Sequence, residues 1–387
     1  MNSNSLRLCF VSHRFRRNDG QGRVNYEVVK AALACDMRVT VLAIDCAPEL
    51  AEHPLCRFIP IGTERAPTEL LRNLLFAFGS ARWLKQHAAE FDIVQANGFV
   101  TWERADVVAA HFIHSAWAKN RWYPFRSLKP YDLYQRLYTW LNSRWEKAAF
   151  TRAKRVIAVS GTLVPDLRAM GVAGERIRVV MNGVDTDQFA PGPADRRHFG
   201  VPLEGPMGLF IGDIKTSRKN LETVLRAVRN LPTLRLAVAG STDGSPYPAM
   251  ARELGIAGRV HFLGKVTEVP KLMRSVDLFV FPSRYEAHPL VLLEAMASGL
   301  PSVVSNTFGA EEFLGSGGTI LNDPNDADAL TLELKKLLED SARRNRMGCA
   351  AREQAERMQW SQMAARYLEI YRELAAQTSA EARAGAK

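Results

Sequence analysis

Residues 279–304, FVFPSRYEAHPLVLLEAMASGLPSVV, leave this chain few folds to choose from. The apolar run 278–281 reads as a buried strand, and it stops at Pro282 and Ser283. Pro289 follows a short polar loop and falls where a first helical turn begins, a place that suits a residue with fixed φ and no N–H to lose. Leu290, Val291, Leu293, Ala295, Met296 and Ala297 then predict a helix, which Gly299 ends. Pro301 opens a second β-branched run, 302–304. Strand, loop, helix and strand in so short a span make a crossover unit, and two strands joined that way run parallel. The chain is therefore of the α/β class.

Two carboxylates punctuate the unit. Glu286 lies in the loop after the first strand, and Glu294 about one and a half turns into the helix. Between them, the N–H groups around Leu290 and Val291 have no partner within the helix. Such an amide cluster suits a phosphate, and ligands of open α/β sheets bind in that crevice. A carboxylate beside a phosphate site accepts hydrogen bonds from sugar hydroxyls more naturally than it faces another anion. The unit thus reads as a site for a phosphorylated, hydroxyl-rich ligand.

Glu286-x7-Glu294 followed by EAMASGLPSVVSN resembles the donor-binding signature of retaining GT-B glycosyltransferases of the family 4 type, the glycosyl transferases group 1. The resemblance implies two Rossmann-like parallel-sheet domains facing a cleft. It implies transfer of a sugar from a nucleoside diphosphate sugar, expected to be a UDP-sugar, to a hydroxyl of a glycan or glycolipid, with retention of anomeric configuration. Glu294 would hold the ribose hydroxyls and Glu286 the donor sugar. No cofactor and no metal is expected, because a basic loop and a helix N-terminus would supply the positive field.

That basic loop comes from residues 212–220, GDIKTSRKN, after a strand at 207–211. The family pattern has an arginine where this chain has Asp213, whereas Lys219-Asn220 matches its lysine end. Arg218 is the expected replacement guanidinium, and with Lys219 it would stabilise the departing diphosphate. Asn220 is expected to cap the next helix.

Nearer the N-terminus, a strand at 6–11 leads to a loop with Gly20 and Gly22 and a helix from about Val24. Glycines there let a backbone approach a ligand closely. A strand at 106–110 ends at His111, which matches the family's active-site histidine, with His114 as the alternative. Across the whole chain the resemblance adds Gly20, Gly22, Gly212, Lys265, Val266, His288, Pro289, Leu290, Val291 and Glu294 as donor-binding positions. His111, Glu286, Arg218 and Lys219 are the expected catalytic set. Asp185-Thr-Asp187 mimics a metal-binding D-x-D, but it sits after a strand in a turn-rich linker and reads as turn chemistry.

The expected domains are 1–183 on the acceptor side and 207–358 on the donor side, joined by a linker at 184–206. A helix at 359–376 crosses back to the first domain, and a disordered tail, 377–387, follows.

Charge is uneven. Residues 119–155 hold ten Lys or Arg against Asp132 and Glu146, a net +8 of the chain's +10. Trp117, Trp122, Tyr123 and Phe125 interleave with the basic residues, and Tyr134, Leu137, Tyr138 and Leu141 fall on one face of the helix beyond. No nucleic-acid module is recognisable, so the expected partner of 117–155 is an anionic membrane surface. Five scattered cysteines without C-x-x-C, no signal peptide and no membrane span point to the cytoplasm, at the inner face of the membrane. A lipopolysaccharide or envelope polysaccharide is the expected context. The rival readings are a nucleotide-sugar epimerase or hydrolase of the same fold, which would turn over donor without acceptor, and a non-catalytic sugar- or lipid-binding scaffold. Intact Glu286 and Glu294 argue against the scaffold.

Overall fold

The computed structural model describes residues 5–63 and 66–385. The chain forms two compact units. The first comprises Met1–Lys119, Phe125–Gly183 and Trp360–Lys387; the second comprises Asn120–Pro124 and Val184–Gln359.

The first unit runs β1 (Arg7–Val11), β2 (Arg14–Phe15), α1 (Gly20–Ala34), β3 (Arg38–Ala43), β4 (Asp45–Cys46), α2 (Pro48–Ala51), β5 (Cys56–Pro60) and α3 (Glu69–His87). It continues with β6 (Ile93–Asn97), β7 (Val107–Ala110), α4 (His114–Lys119), α5 (Pro130–Arg152), β8 (Arg155–Ala158), α6 (Val164–Ala169) and β9 (Ile177–Val179). Seven of these strands form one parallel sheet in the order β5-β3-β1-β6-β7-β8-β9, and β2 pairs with β4 apart from it. The strand order reverses direction between β1 and β6. In such sheets the crevice at the carboxyl ends of that pair is the natural ligand site.

The second unit runs β10 (Met207–Ile211), α7 (Leu221–Arg229), β11 (Arg235–Ala239), α8 (Tyr247–Glu253), β12 (Val260–Gly264), α9 (Val269–Arg274), β13 (Leu278–Phe281), α10 (Leu290–Ala297), β14 (Ser302–Ser305), β15 (Gly318–Leu321), α11 (Ala327–Glu339) and α12 (Ser341–Glu356). Its six strands are also all parallel, in the order β12-β11-β10-β13-β14-β15. Here the order reverses between β10 and β13. All four residues of β13 are buried, as a strand covered on both faces must be. Each such side chain contributes on the order of 1.5–3 kcal/mol relative to exposure.

The last helix, α13 (Trp360–Gly385), belongs to the first unit. Its Met363, Tyr367, Leu368 and Tyr371 are buried in the same core as α1, β1 and β3. The disordered tail expected over 377–387 is corrected here: helix continues through Gly385, and 386–387 lie outside the described residues.

Three local expectations also shift. Pro289 is the N-cap residue of α10 rather than its first helical residue, with φ −74° and ψ 113°. Gly20 and Gly22 lie in the first turn of α1 rather than in a loop before it. Asp19 starts that helix, its Oδ1 accepting from the Gly22 N–H at 2.8 Å. A Cβ on Gly22 would come within 2.9 Å of the Asp19 side chain, so the cap itself calls for glycine there. Asn220 does not cap α7 through its side chain, as the next section describes.

Candidate functional site

In the second unit the charged residues gather at the reversal point. The loop after β10 brings Arg218 and Lys219, and the loop after β13 brings Ser283 and Glu286. Three donors converge on one oxygen, Glu286 Oε1: Lys219 Nζ at 2.7 Å, Ser283 Oγ at 2.8 Å and Arg218 Nη1 at 3.0 Å. Arg218 Nη1 also donates to the Tyr285 carbonyl at 3.2 Å. Burial pushes the Glu286 carboxyl upward, but Lys219 and Arg218 outweigh it and hold the group below its ordinary value. For Lys219 burial wins: with Arg218 adding to it, the ammonium sits below its ordinary value despite the pull of Glu286. The cluster is therefore an ionised carboxylate held between two cations, with one positive charge in excess.

Asn220 fixes the geometry of this loop pair. It adopts the left-handed conformation, φ 63° and ψ 43°, and is fully buried. Its Nδ2 donates to the carbonyls of Pro282 at 3.0 Å and Pro324 at 2.5 Å, and its Oδ1 accepts from Thr223 Oγ1 at 2.9 Å. A short amide side chain tolerates the left-handed region, and here it rivets three loops together. Asp213 makes no hydrogen bond to Glu286 but its charge acts on Lys219, and it closes its own turn, accepting from the Lys215 N–H at 2.9 Å and from Thr216 Oγ1 at 3.4 Å.

Around the cluster, His288 is buried with its ring 4.7 Å from that of Phe313. Leu290 and Val291 open α10, which has no side-chain cap on its first amides. Glu294 is half-buried one turn further on. Lys265, exposed, and Val266, half-buried, follow β12. Gly212 follows β10, and its carbonyl would lie 2.3 Å from a Cβ on Gly240, so the β10 and β11 loops meet only because residue 240 is glycine. Asp185 accepts from the N–H groups of Asp187 and Gln188 at 3.2 and 2.9 Å, a turn.

The first unit builds its reversal point differently. Ser12 follows β1, Asn97 ends β6, and Asn25 comes from α1. Asn25 Nδ2 donates to Ser12 Oγ at 2.9 Å and to the Arg14 carbonyl at 3.2 Å, while Asn97 Nδ2 donates to Asn25 Oδ1. All three side chains are buried. His13 stands beside them with its ring 4.6 Å from Phe76, and burial pulls its imidazole down to about 4. His111 follows β7 directly. Its Nε2 is buried with no hydrogen-bond partner, and burial pulls its imidazole down to about 4 as well.

His114 is held elsewhere. Its Nδ1 lies 2.7 Å from Glu146 Oε1 and its backbone N–H donates to Oε2 at 3.0 Å, which fixes it to α5. Gly20 and Gly22 face this unit's chemistry only through the start of α1.

Of the expected site residues, the fold brings Arg218, Lys219 and Glu286 into direct contact. Sequence reasoning missed Ser283, His13, Asn25 and Asn97. The signal for the last two was a carboxamide among mostly apolar residues, in VNYEVV and IVQAN. Ser283 carried no signal beyond its place at a strand end.

The chain was compared with known proteins. Residues 18–188 match the model of Glycosyltransferase Family 4, and residues 193–354 match that of Glycosyl transferases group 1. A D-inositol 3-phosphate glycosyltransferase of Xylanimonas cellulosilytica is 30% identical over 300 residues, 71% of this chain and 68% of that protein. Matches to several other proteins of that name span about half of their length. Among solved structures, a sucrose-phosphate synthase from Thermosynechococcus elongatus superposes with a TM-score of 0.79 at 19% identity, over 96% of this chain and 100% of that one. WaaG, a glycosyltransferase involved in lipopolysaccharide biosynthesis, gives 0.77 at 21% identity, over 94% and 99%. At such identities these likenesses concern the fold.

Proposed function

This chain belongs to the GT-B glycosyltransferases of group 1, and from that premise we propose that it moves a sugar from a UDP-sugar to a hydroxyl of a glycan or glycolipid, with retention and without a metal. The observation that carries the reading is the convergence of Arg218, Lys219 and Ser283 on Glu286 at the reversal point of the second sheet.

A donor's diphosphate would draw Arg218 and Lys219 toward it and be met by the amides of Leu290 and Val291. Glu286, released from the cations, would accept from hydroxyls of the donor sugar, and Glu294 from the ribose. Gly212, Lys265, Val266, His288 and Pro289 would line the nucleotide.

In the transfer, the acceptor oxygen forms a bond to the anomeric carbon on the face the diphosphate leaves. The bond from that carbon to the diphosphate oxygen breaks, and the acceptor's proton passes to a departing phosphate oxygen. Arg218 and Lys219 stabilise the charge that develops there. His111, uncharged at neutral pH, would offer a sugar hydroxyl a neutral nitrogen. The buried polar cluster of Ser12, Asn25 and Asn97 suits a neutral, hydroxyl-rich partner. A glycan of the lipopolysaccharide or envelope polysaccharide kind, made on the cytoplasmic face of the membrane, is the proposed acceptor.

The test is a thermal-shift screen with UDP, GDP, ADP and CMP, with and without EDTA. A ligand bound only by the folded chain must raise the melting temperature. The expected result is a shift with UDP that EDTA leaves unchanged. A shift that needs a divalent metal would overturn metal independence, one with another base would overturn UDP, and none with any diphosphate would overturn the donor site. Breakdown of a UDP-sugar at full rate without acceptor would favour an epimerase or hydrolase.

A further inference from the structure

The basic stretch 117–155 and its aromatics behave differently from their sequence pattern. Trp117 and Tyr123 are buried. Tyr134 and Tyr138 turn toward α3, where the Tyr134 hydroxyl accepts from the Leu70 N–H at 3.2 Å and the Tyr138 hydroxyl accepts from Asn73 Nδ2 at 3.1 Å. Of the helix face expected to meet a membrane, Tyr134, Tyr138 and Leu141 are half-buried and Leu137 alone is exposed.

A different face is left open. Twelve large apolar side chains are exposed among the described residues, and nine of them lie on α3, α5 and the loops beside those two helices. On α5, Leu133, Leu137 and Trp140 are spaced i, i+4, i+7, with Trp140 54% exposed, whereas the exposed Tyr131 lies about 160° round the helix from Leu133. On α3 they are Leu71, Leu75 and Phe78 with the same spacing, and Phe78 is 61% exposed. That spacing makes one stripe per helix. Phe78 and Trp145 are joined through Trp102, at 5.7 and 5.6 Å between ring centroids. A scatter of single exposed leucines needs no explanation, but this concentration does.

Charge says what covers it. Within 60° of the α5 stripe, at 100° per residue, lie Arg136, Arg144 and Lys147, all exposed. Arg144 stacks over Trp140, 5.0 Å from the ring centroid. The two acids of α5 are turned away: Asp132 accepts from Ser127, and Glu146 is buried on His114. A second copy of this chain would bring the same cations against themselves, which disfavours self-association through this face.

We propose that the outer face of α5, extended by the α3 stripe, is the docking surface for an anionic phospholipid bilayer. Leu133, Leu137 and Trp140 enter the headgroup boundary while Arg136, Arg144 and Lys147 meet lipid phosphates. The proposal rests on the membrane-side acceptor reading above only for its choice of partner, and vesicle binding itself is measured without donor.

The full chain would be sedimented with vesicles of phosphatidylcholine alone and with 30% phosphatidylglycerol. The expected result is binding to the anionic vesicles that falls about 100-fold in Arg136→Glu/Arg144→Glu/Lys147→Glu. Binding should fall about 10-fold in Leu137→Ser/Trp140→Ser, with the residue of binding lost at high salt. Both variants should keep the wild-type melting temperature and the wild-type rate on a water-soluble acceptor. Absence of binding, or binding untouched by both variants, would overturn the proposal. So would a dimer in sedimentation velocity that Leu137→Ser/Trp140→Ser dissolves. Vesicle binding without any sugar transfer would leave this surface standing and sink the transferase reading instead.

Discussion

The two sheets reverse their strand order in the same way but fill the resulting crevice with opposite chemistry. The second unit places a carboxylate between two cations. The first places two carboxamides and a serine, with the uncharged imidazole of His13 next to that serine in the chain. Topology supplies a site at each strand reversal, and the side chains decide what each can hold. Fixed charges suit a diphosphate whose own charge grows as it leaves, whereas neutral donors and acceptors suit hydroxyls that carry none.

The contrast breaks most severely at Glu286. Glu286→Ala strips the counterion from two cations, one of them buried. We expect a loss of about 3–5 kcal/mol in urea unfolding and a fall in kcat/KM of about 100- to 1,000-fold. Full transfer activity in this variant would refute the assignment of Glu286.

Next in size is the neutral side. Asn97→Ala leaves the Asn25 carbonyl oxygen buried without its donor, which costs about 1–3 kcal/mol. UDP binding, measured by calorimetry, should not change. A weakened UDP affinity would mean that the two crevices are not chemically independent.

Acid separates them further. His13 and His111 have folded values near 4, below the ordinary 6.5 of the unfolded chain. Between those values the unfolded chain binds the extra protons, so stability falls as pH drops from about 6.5 to about 4. Glu286 is depressed below its ordinary 4.5, so its contribution is lost only as pH falls below that value. Urea midpoints at pH 7 and pH 5 should therefore differ less in His13→Gln/His111→Gln than in the wild type. An equal drop in both would place the acid sensitivity elsewhere.

The smallest expected effect is at Asp213. Asp213→Arg restores the arginine of the resembled pattern, and kcat/KM should change by less than about threefold if Arg218 already supplies the guanidinium. A large rise would show that it does not.

Much of the architecture was legible because its signals are local. An apolar run closed by Pro282 and a helix closed by Gly299 identify β13 and α10 without reference to any other segment. Glu286, Glu294 and the α10 amides followed from the same short span. What escaped needs distant partners. Nothing near Glu286 tells that Lys219 and Arg218, almost 70 residues earlier, will meet it. Asn25 and Asn97 gain their meaning only from each other. Asn220 looked like a helix cap because cap and tether use the same residue types, and only the fold brings Pro282 and Pro324 within reach of its amide. Gly20 and Gly22 were placed too early because the glycines drew attention from Asp19, a cap that could have been read. Trp117 and Tyr123 read as surface residues because of their charged neighbours, although they are buried.

The position of α13 has a consequence for how this molecule is made. Met363, Tyr367 and Tyr371 complete the core around β1, β3 and α1, and the Tyr371 hydroxyl bonds Gln95 on β6. The ribosome delivers those strands first and that helix last, with the whole second unit between them. At about 5–20 residues per second, the nascent first unit waits on the order of ten seconds or more with one side of its sheet uncovered. The half that emerges first is thus the half that matures last.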